Sequence, residues 1–491
     1  MQKEIIRHSF VLVAGILLGK VLTFFYTPIL ARVLGPEGLG TMALVFAFAP
    51  WFIVLGSLML DTAITKKITE YRAQKKPLAP LIKTHVLFSL VFGLLATGLF
   101  MGLAPFIAQV LYNDSTLTSL VFQAAPFVLG SILYVNLTGI LRGLKRFAFF
   151  SLFEFTRQFI LIALTLFLLL AIGLKAEGAV LGMALAPYPL ILVFLYRLKG
   201  HVFNPAPIVP HEIVAIGGWL TLNELVNAFI PQLDKILLGA FAPREWVGWY
   251  AGAFTLAGAT MFLGVSFKRV LLPYFSESNA KKDEKLLRYT LERSIVQLVL
   301  VLGFTMIGVV VLRGLLVNIL YGPAFAPAIP LVGILVIVHL LNAVFLVLHV
   351  ALQALNRMKY LIALHVLALG IGIALALYLV PLFYAAGAGM AMIGAYAVLL
   401  LGCYWKVRTL IHLPLRAIGK ALGMVGFFIA LAYAVPQFLE AQVFLGAVLA
   451  FSFIALAWHS GLVLSNDKQI LLAMAVHPLK WVQDRLNSFK R

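Results

Sequence analysis

Stretches of about twenty or more apolar residues, separated by short charged or turn-rich breaks, repeat along nearly the whole chain. The apolar runs lie near residues 8–31, 39–62, 85–111, 118–141, 148–173, 177–196, 213–240, 246–267, 290–318, 325–352, 360–380, 384–405, 417–437 and 443–465. A helix needs about twenty apolar residues to cross a hydrocarbon core about 30 Å thick, so the pattern predicts fourteen transmembrane helices. No break between the runs is long enough for a separate soluble domain. The first run has the basic flank of a secretion signal, Lys3 and Arg7, but it is too long for one. No small-residue cleavage site precedes a soluble domain, so the run is read as helix one.

The first six runs resemble the next six. Pro36 and Gly40 of LGPEGLG recur as Pro243 and Gly248 of APREWVG, 207 and 208 residues later. Leu111-Tyr112 recurs as Leu320-Tyr321 at an offset of 209, and Arg146-Phe147 of LRGLKRF as Arg357-Met358 of LQALNRM at 211. Four landmarks in one order with so little drift predict an internal repeat. Six is even, so both copies enter the membrane from the same side and the symmetry axis runs along its normal. The expected all-α architecture is two six-helix lobes, 1–205 and 206–410, around a central cavity. Residues 411–491 add two helices and a basic tail. Secondary transporters use such a repeat to hold substrate between the lobes near the midplane and to rock one lobe against the other.

Composition agrees with a membrane chain: 63% apolar, 11% charged, mean hydropathy +1.03 over 491 residues. The net charge of +20 would suggest nucleic acid in a soluble protein, but its distribution argues against that partner. With the N-terminus inside, 31 of the 38 basic residues fall at the cytoplasmic ends and only Arg32, Lys175, Arg244 and Arg313 at the outer ones. This positive-inside asymmetry places both termini in the cytoplasm of a plasma or inner membrane. The basic segments KKITEYRAQKKPLAPLIK from Lys66 and SESNAKKDEKLLRY from Ser276 are read as topology determinants resting on anionic lipid headgroups. The lone cysteine, Cys403, sits in an apolar run and reads as packing.

Three basic residues, Lys20, Arg157 and Lys235, fall inside spans, where a charge costs roughly 2.5 to 3.5 kcal/mol unless it faces a partner or a wet cavity. At about 100° per residue, Glu224, Asn227, Asp234 and Lys235 of span seven share an arc of about 100°. In span one, Ser9, Lys20, Thr23 and Thr27 share about 60°; in span five, Ser151, Glu154, Arg157, Gln158 and Thr165 share about 120°. Span ten gathers His339, Asn342, His349 and Gln353 within about 80°. These four faces are the candidate cavity lining. Each has a plainer reading. Glu154 and Arg157 neutralise each other at i, i+3, Asp234 and Lys235 snorkel to the interface, and the two histidines are satisfied within a helix contact. Lys20 has no acid on its own helix and so needs an acid from another span or an anionic ligand. Asp61, Glu224 and Asp234 are candidates for coupling transport to H+ or Na+, since a carboxylate screened from water can titrate near neutral pH.

No G-x-x-x-x-G-K-[ST] stretch occurs, so the chain does not hydrolyse nucleotide through its own P-loop. There is no H-E-x-x-H, no outer loop long enough for a glycosyl-transfer site, and no call for a cofactor or a resident metal. The expected protein is not an enzyme, and its energy comes from an ion gradient, the membrane potential or the substrate's own gradient.

The runs LARVLGPEGLGTMALVFAF, QLDKILLGAFAPREWVGWYAGAF, LYGPAFAPA and ALNRMKY resemble the polysaccharide-biosynthesis flippases of the multidrug/oligosaccharidyl-lipid/polysaccharide (MOP) exporter superfamily. The likeness covers residues 1 to about 410, with the last two spans matching in number only. It implies two lobes forming a V, and a lipid-linked oligosaccharide pyrophosphate moved from the inner to the outer leaflet, its pyrophosphate held by cavity cations. Fourteen helices and the basic excess favour this reading over a cation-coupled multidrug exporter of the same superfamily, which the carboxylates would suit. A membrane glycosyl polymerase or ligase is disfavoured by the short outer loops. The partners expected are membrane lipids, a lipid-linked glycan, and H+ or Na+.

Overall fold

A computed structural model of the chain describes residues 2–463 except 203, 206, 210 and 282, with backbone only for 2–18, 20, 211–220, 223, 262–270, 273 and 439. The side chain of Lys20 and the basic tail beyond 463 therefore lie outside the described residues. Among the described residues the chain is helical almost throughout and has no strand. The first half comprises α1 (Gln2–Ala47), α2 (Ala49–Ser57), α3 (Leu60–Ala73), α4 (Ala79–Gly102), α5 (Thr116–Gly143), α6 (Phe147–Leu166), α7 (Ala176–Leu185) and α8 (Tyr188–Val202). The second half comprises α9 (His211–Phe241), α10 (Arg244–Gly258), α11 (Met261–Ala280), α12 (Glu284–Val311), α13 (Arg313–Leu320), α14 (Ile329–Ala354) and α15 (Met358–Ile411), followed by α16 (Arg416–Ala434) and α17 (Leu439–His459).

Among the described residues each of the fourteen apolar runs lies mostly on helix. Ten described stretches are long and apolar enough to cross a membrane, and two of these, 21–73 and 358–411, run to 53 and 54 residues because helices continue through their turns. The break expected at 32–38 is reduced to one residue. Gly35, at φ +69 and ψ −176, occupies backbone space that a Cβ would deny, and Pro36 restarts the helix with its φ already set. The second long stretch turns at Tyr384, whose φ of +47 is unusual for an aromatic residue; its ring stacks on Trp246 at 5.1 Å. Span two is not one straight helix either. It bends at Phe48 and breaks at Leu58 and Met59, both left-handed, while span eight breaks between α10 and α11. Spans three and five each end in a π-helical turn, Phe106–Leu111 and Phe167–Ala171.

Two apolar cores form. A smaller one joins α3, α4, α5 and α8 through Leu60, Ile64, Ile68, Leu81, Ile140 and Phe194. The larger runs from α1 through α10, α12 and α14 to α16 and α17, and takes in Cys403, which is free and fully buried. α16 and α17 pack on α12. Arg313 anchors α16: buried, it donates to the carbonyls of Val310 (2.7 Å), Ala432 (3.3 Å) and Tyr433 (2.8 Å). Carbonyls at the end of α16 that have no partner within their own helix thus gain a cation, where the helix dipole favours one.

Candidate substrate and ion path

The most extensive contact between the halves joins α1 to α10. At its centre Gly40 and Gly248 face each other reciprocally. A Cβ on Gly40 would lie 2.8 Å from the carbonyl carbon of Arg244 and 3.0 Å from the Gly248 nitrogen. A Cβ on Gly248 would lie 2.7 Å from the carbonyl carbon of Pro36 and 3.1 Å from the Gly40 nitrogen. Pro36 pairs with Arg244 and Gly40 with Gly248 at one common offset of 208, as a two-fold axis through the contact requires.

The turns flanking this contact are tied across the halves by arginines. Arg244 forms an ion pair with Asp114 and donates to the Thr116 hydroxyl at 2.6 Å, which in turn donates to Asp114 Oδ1 at 2.6 Å. From the other side, Arg32 donates to the carbonyls of Leu320 (3.0 Å) and Ile319. Further along, Trp51 of α2 stacks on Phe229 of α9 at 4.0 Å and donates to the carbonyl of Ala228. These contacts tie the halves together at the end bearing Gly35, Asp114 and Arg244.

In the second half, Asp234 is 1% exposed and does not snorkel. Its Oδ2 accepts from the Tyr250 hydroxyl at 2.6 Å and its Oδ1 from the Lys235 amide at 2.7 Å. Tyr250 is itself fully buried. Lys235 points elsewhere: its ammonium sits 4.9 Å above the Phe254 ring and 3.4 Å from Gln232 Oε1. His339 packs on the same Phe254 at 4.6 Å, its Nε2 at 3.2 Å from that residue's carbonyl. Asp234, Lys235 and His339 thus meet around Tyr250 and Phe254 of α10. Glu224, Asn227 and Asn342 are half-buried on α9 and α14. His349 belongs to a separate buried aromatic cluster, 5.7 Å from His365 and 5.5 Å from Phe345.

In the first half, charges meet charges. Asp61 accepts from Arg142 at 2.5 Å, so this ion-coupling candidate carries a guanidinium partner. Glu154 lies 3.7 Å from Arg157 and accepts from the Tyr134 hydroxyl at 3.1 Å; the guanidinium stands 5.1 Å above the Tyr134 ring. Further along the same face, Gln158 Oε1 and Ser151 Oγ are buried without a hydrogen-bond partner, and Thr165 lies 3.3 Å from the Tyr26 hydroxyl. That face packs on α1. Thr23 donates to the Gly19 carbonyl of its own helix at 2.9 Å, and Thr27 is half-buried.

Sequence reasoning missed Tyr250, Tyr134 and Arg142. A signal existed for two of them. Asp234 and Tyr250 stand at similar distances on either side of the turn at 242–243, so they lie at one depth of a hairpin. Asp61 and Arg142 end spans on the same side of the membrane with opposite sign.

A family described as polysaccharide biosynthesis protein matches residues 29–330. The chain belongs to this family. Among curated relatives it is 21% identical over 232 residues to the probable low-salt glycan biosynthesis flippase Agl15 of Haloferax volcanii, covering 47% of this chain and 49% of that one. It is 26% identical over 282 residues to the lipid III flippase of Escherichia coli K12, covering 55% and 65%. The chain thus spans between about half and two thirds of these relatives. Among solved structures, the lipid II flippase MurJ in its inward closed conformation superposes with a TM-score of 0.73 at 15% identity, covering 92% of this chain and 99% of that one. An inward-facing multidrug resistance MATE transporter of the MOP superfamily gives 0.65 at 15% identity, covering 81% and 96%. The chain is a multi-pass membrane protein with the MOP transporter fold.

Proposed function

We propose that the protein is a flippase that moves a polyprenyl pyrophosphate-linked oligosaccharide from the cytoplasmic to the outer leaflet, for cell-surface polysaccharide assembly. Its two lobes, 1–205 and 206–410, rock about an axis through Gly40 and Gly248, with both termini cytoplasmic and residues 411–491 outside the repeat. The reciprocal glycine contact is the observation that carries this reading. It supports a parallel two-fold relation between the halves, and the arginine ties beside it close one end, as alternating access demands of one state. By the basic asymmetry of the loops that end is the outer one.

Within the path, Lys20, Arg157 and Lys235 supply cations for a pyrophosphate, with Thr23, Thr27, Gln158, Asn227, Asn342 and His339 as polar lining, while His349 stands apart in its own aromatic cluster. Asp234 is the carboxylate placed to couple an ion. Among the described residues its carboxylate forms no ion pair, although Lys235 follows it in the chain, whereas Asp61 has Arg142. Glu224, half-buried on α9, is the second candidate.

The deciding experiment reconstitutes the full chain and compares flipping of a lipid-linked glycan with export of a cationic dye. The flippase reading expects glycan movement, weakened about ten- to a hundredfold in apparent affinity by Lys20→Ala and largely retained by Lys20→Arg. Dye export without glycan movement would make the chain a cation-coupled multidrug exporter instead. Recovery of folding when Lys20→Ala is combined with Glu154→Gln would make Lys20 a structural partner rather than a substrate contact.

A further inference from the structure

The basic segment beginning at Lys66 does more than mark topology. Between α3 and the end of α5 lies an open pocket of about 420 Å³ lined by Thr62, Thr65, Lys66, Thr69, Glu70 and Arg142. Thr62, Thr65, Lys66 and Thr69 follow the i, i+3, i+4, i+7 stripe of one helix face. Thr65 donates to the carbonyls of Asp61 (2.7 Å) and Gly139 (2.9 Å), which ties the pocket floor to both helices.

Charge decides what such a pocket takes. Residues 60–76 hold five cations, Lys66, Lys67, Arg72, Lys75 and Lys76, against Asp61 and Glu70, and the end of α5 adds Arg142, Lys145 and Arg146. Both acids are already matched: Asp61 by Arg142 at 2.5 Å, Glu70 by Lys67 at 3.3 Å. Lys66 is 3.9 Å from that same Glu70 and its side chain is 64% exposed, so its charge is the surplus one. Arg142 also keeps a buried Nε without a hydrogen-bond partner. Among the described residues the pocket therefore carries no unmatched anion, and its cations outnumber its acids. It lies at the ends of α3 and α5, where the apolar runs 39–62 and 118–141 give way to charged residues, as a site near lipid headgroups would.

We infer that this pocket is the entry site at which the diphosphate of a polyprenyl-linked lipid first docks, before it passes to the cations deeper in the path. The inference rests on the flippase reading and adds a second, shallower anion site to it. Lys66 supplies the ionic contact, Arg142 a donor, and Thr62 a hydroxyl at the rim.

The test measures binding of farnesyl diphosphate to the full chain in detergent, beside inorganic pyrophosphate and phosphatidylglycerol. The entry site expects farnesyl diphosphate to bind, to be weakened about tenfold by Lys66→Gln combined with Thr62→Val, and to outcompete both other probes. Lys281→Gln, at a lysine of similar exposure (65%) paired with Glu277, serves as the control and leaves binding unchanged. Equal binding by wild type and the Lys66/Thr62 variant, with glycan flipping intact, overturns the pocket while the flippase reading stands. Absence of both binding and flipping in the wild type overturns the two together. Phosphatidylglycerol competing as well as farnesyl diphosphate reduces the site to a general headgroup rest, and pyrophosphate binding equally well makes the ligand a soluble phosphate; either result refutes the proposal.

Discussion

The two halves of the molecule handle buried charge differently. In the first, acids and bases neutralise one another: Asp61 with Arg142, Glu154 with Arg157. In the second, Asp234 and Lys235 are neighbours in sequence yet their charged ends part, the carboxylate to Tyr250 and the ammonium to the face of Phe254. A matched pair resists a change of protonation, because losing either charge strands the other in a poor solvent. A carboxylate held by a hydroxyl and a main-chain amide exchanges its charge for a proton or a metal cation with fewer bonds to break. On the proposed function, the first half is the rigidly paired one and the second is the one placed to respond to an ion.

The largest expected effect tests the rigid half. Asp61→Ala leaves the Arg142 guanidinium without its acid and should lower stability by roughly 1.5 to 3 kcal/mol, seen as earlier thermal unfolding in detergent. Adding Arg142→Ala should return part of that loss. A stable Asp61→Ala protein that no longer responds to ions would reverse the contrast between the halves.

A smaller change in stability, about 1 kcal/mol or less, is expected from Asp234→Asn, because an amide oxygen still accepts from Tyr250. Its signature is functional: transport by the variant should lose its response to external pH and sodium while remaining folded. An unchanged ion response would remove Asp234 from the coupling role and leave Glu224 to be tested. The smallest effect belongs to Glu154→Gln, where the partners are about a quarter exposed and the pair contributes at most about 1 kcal/mol. A larger loss there would mean that Glu154 acts beyond its own helix, for instance on Lys20.

Helix placement was legible because apolar length and the breaks between runs are set by the bilayer, and each run contains enough residues to average out local exceptions. The turns were less so. A single Gly35 replaces an expected loop, since one residue with positive φ followed by a proline suffices to reverse the chain. Which residues share a side of one helix was also readable, since helical periodicity fixes it. Which faces meet was not, because that depends on tertiary packing. Periodicity groups Asp234 with Lys235 but says nothing about Tyr250 and Phe254, one helix away, drawing their charged ends apart.

The anchoring of α16 through Arg313 makes the two halves unequal as bodies moving in a bilayer. With α16 and α17 packed on α12, the second half carries a fin, with Phe427, Phe444 and Phe451 exposed along it. Under the rocking proposed above, the second half would sweep more lipid than the first, and the first half would be the lighter rotor. The speed of turnover would then depend on the viscosity and thickness of the surrounding membrane, a mechanical load that two equal lobes would divide evenly.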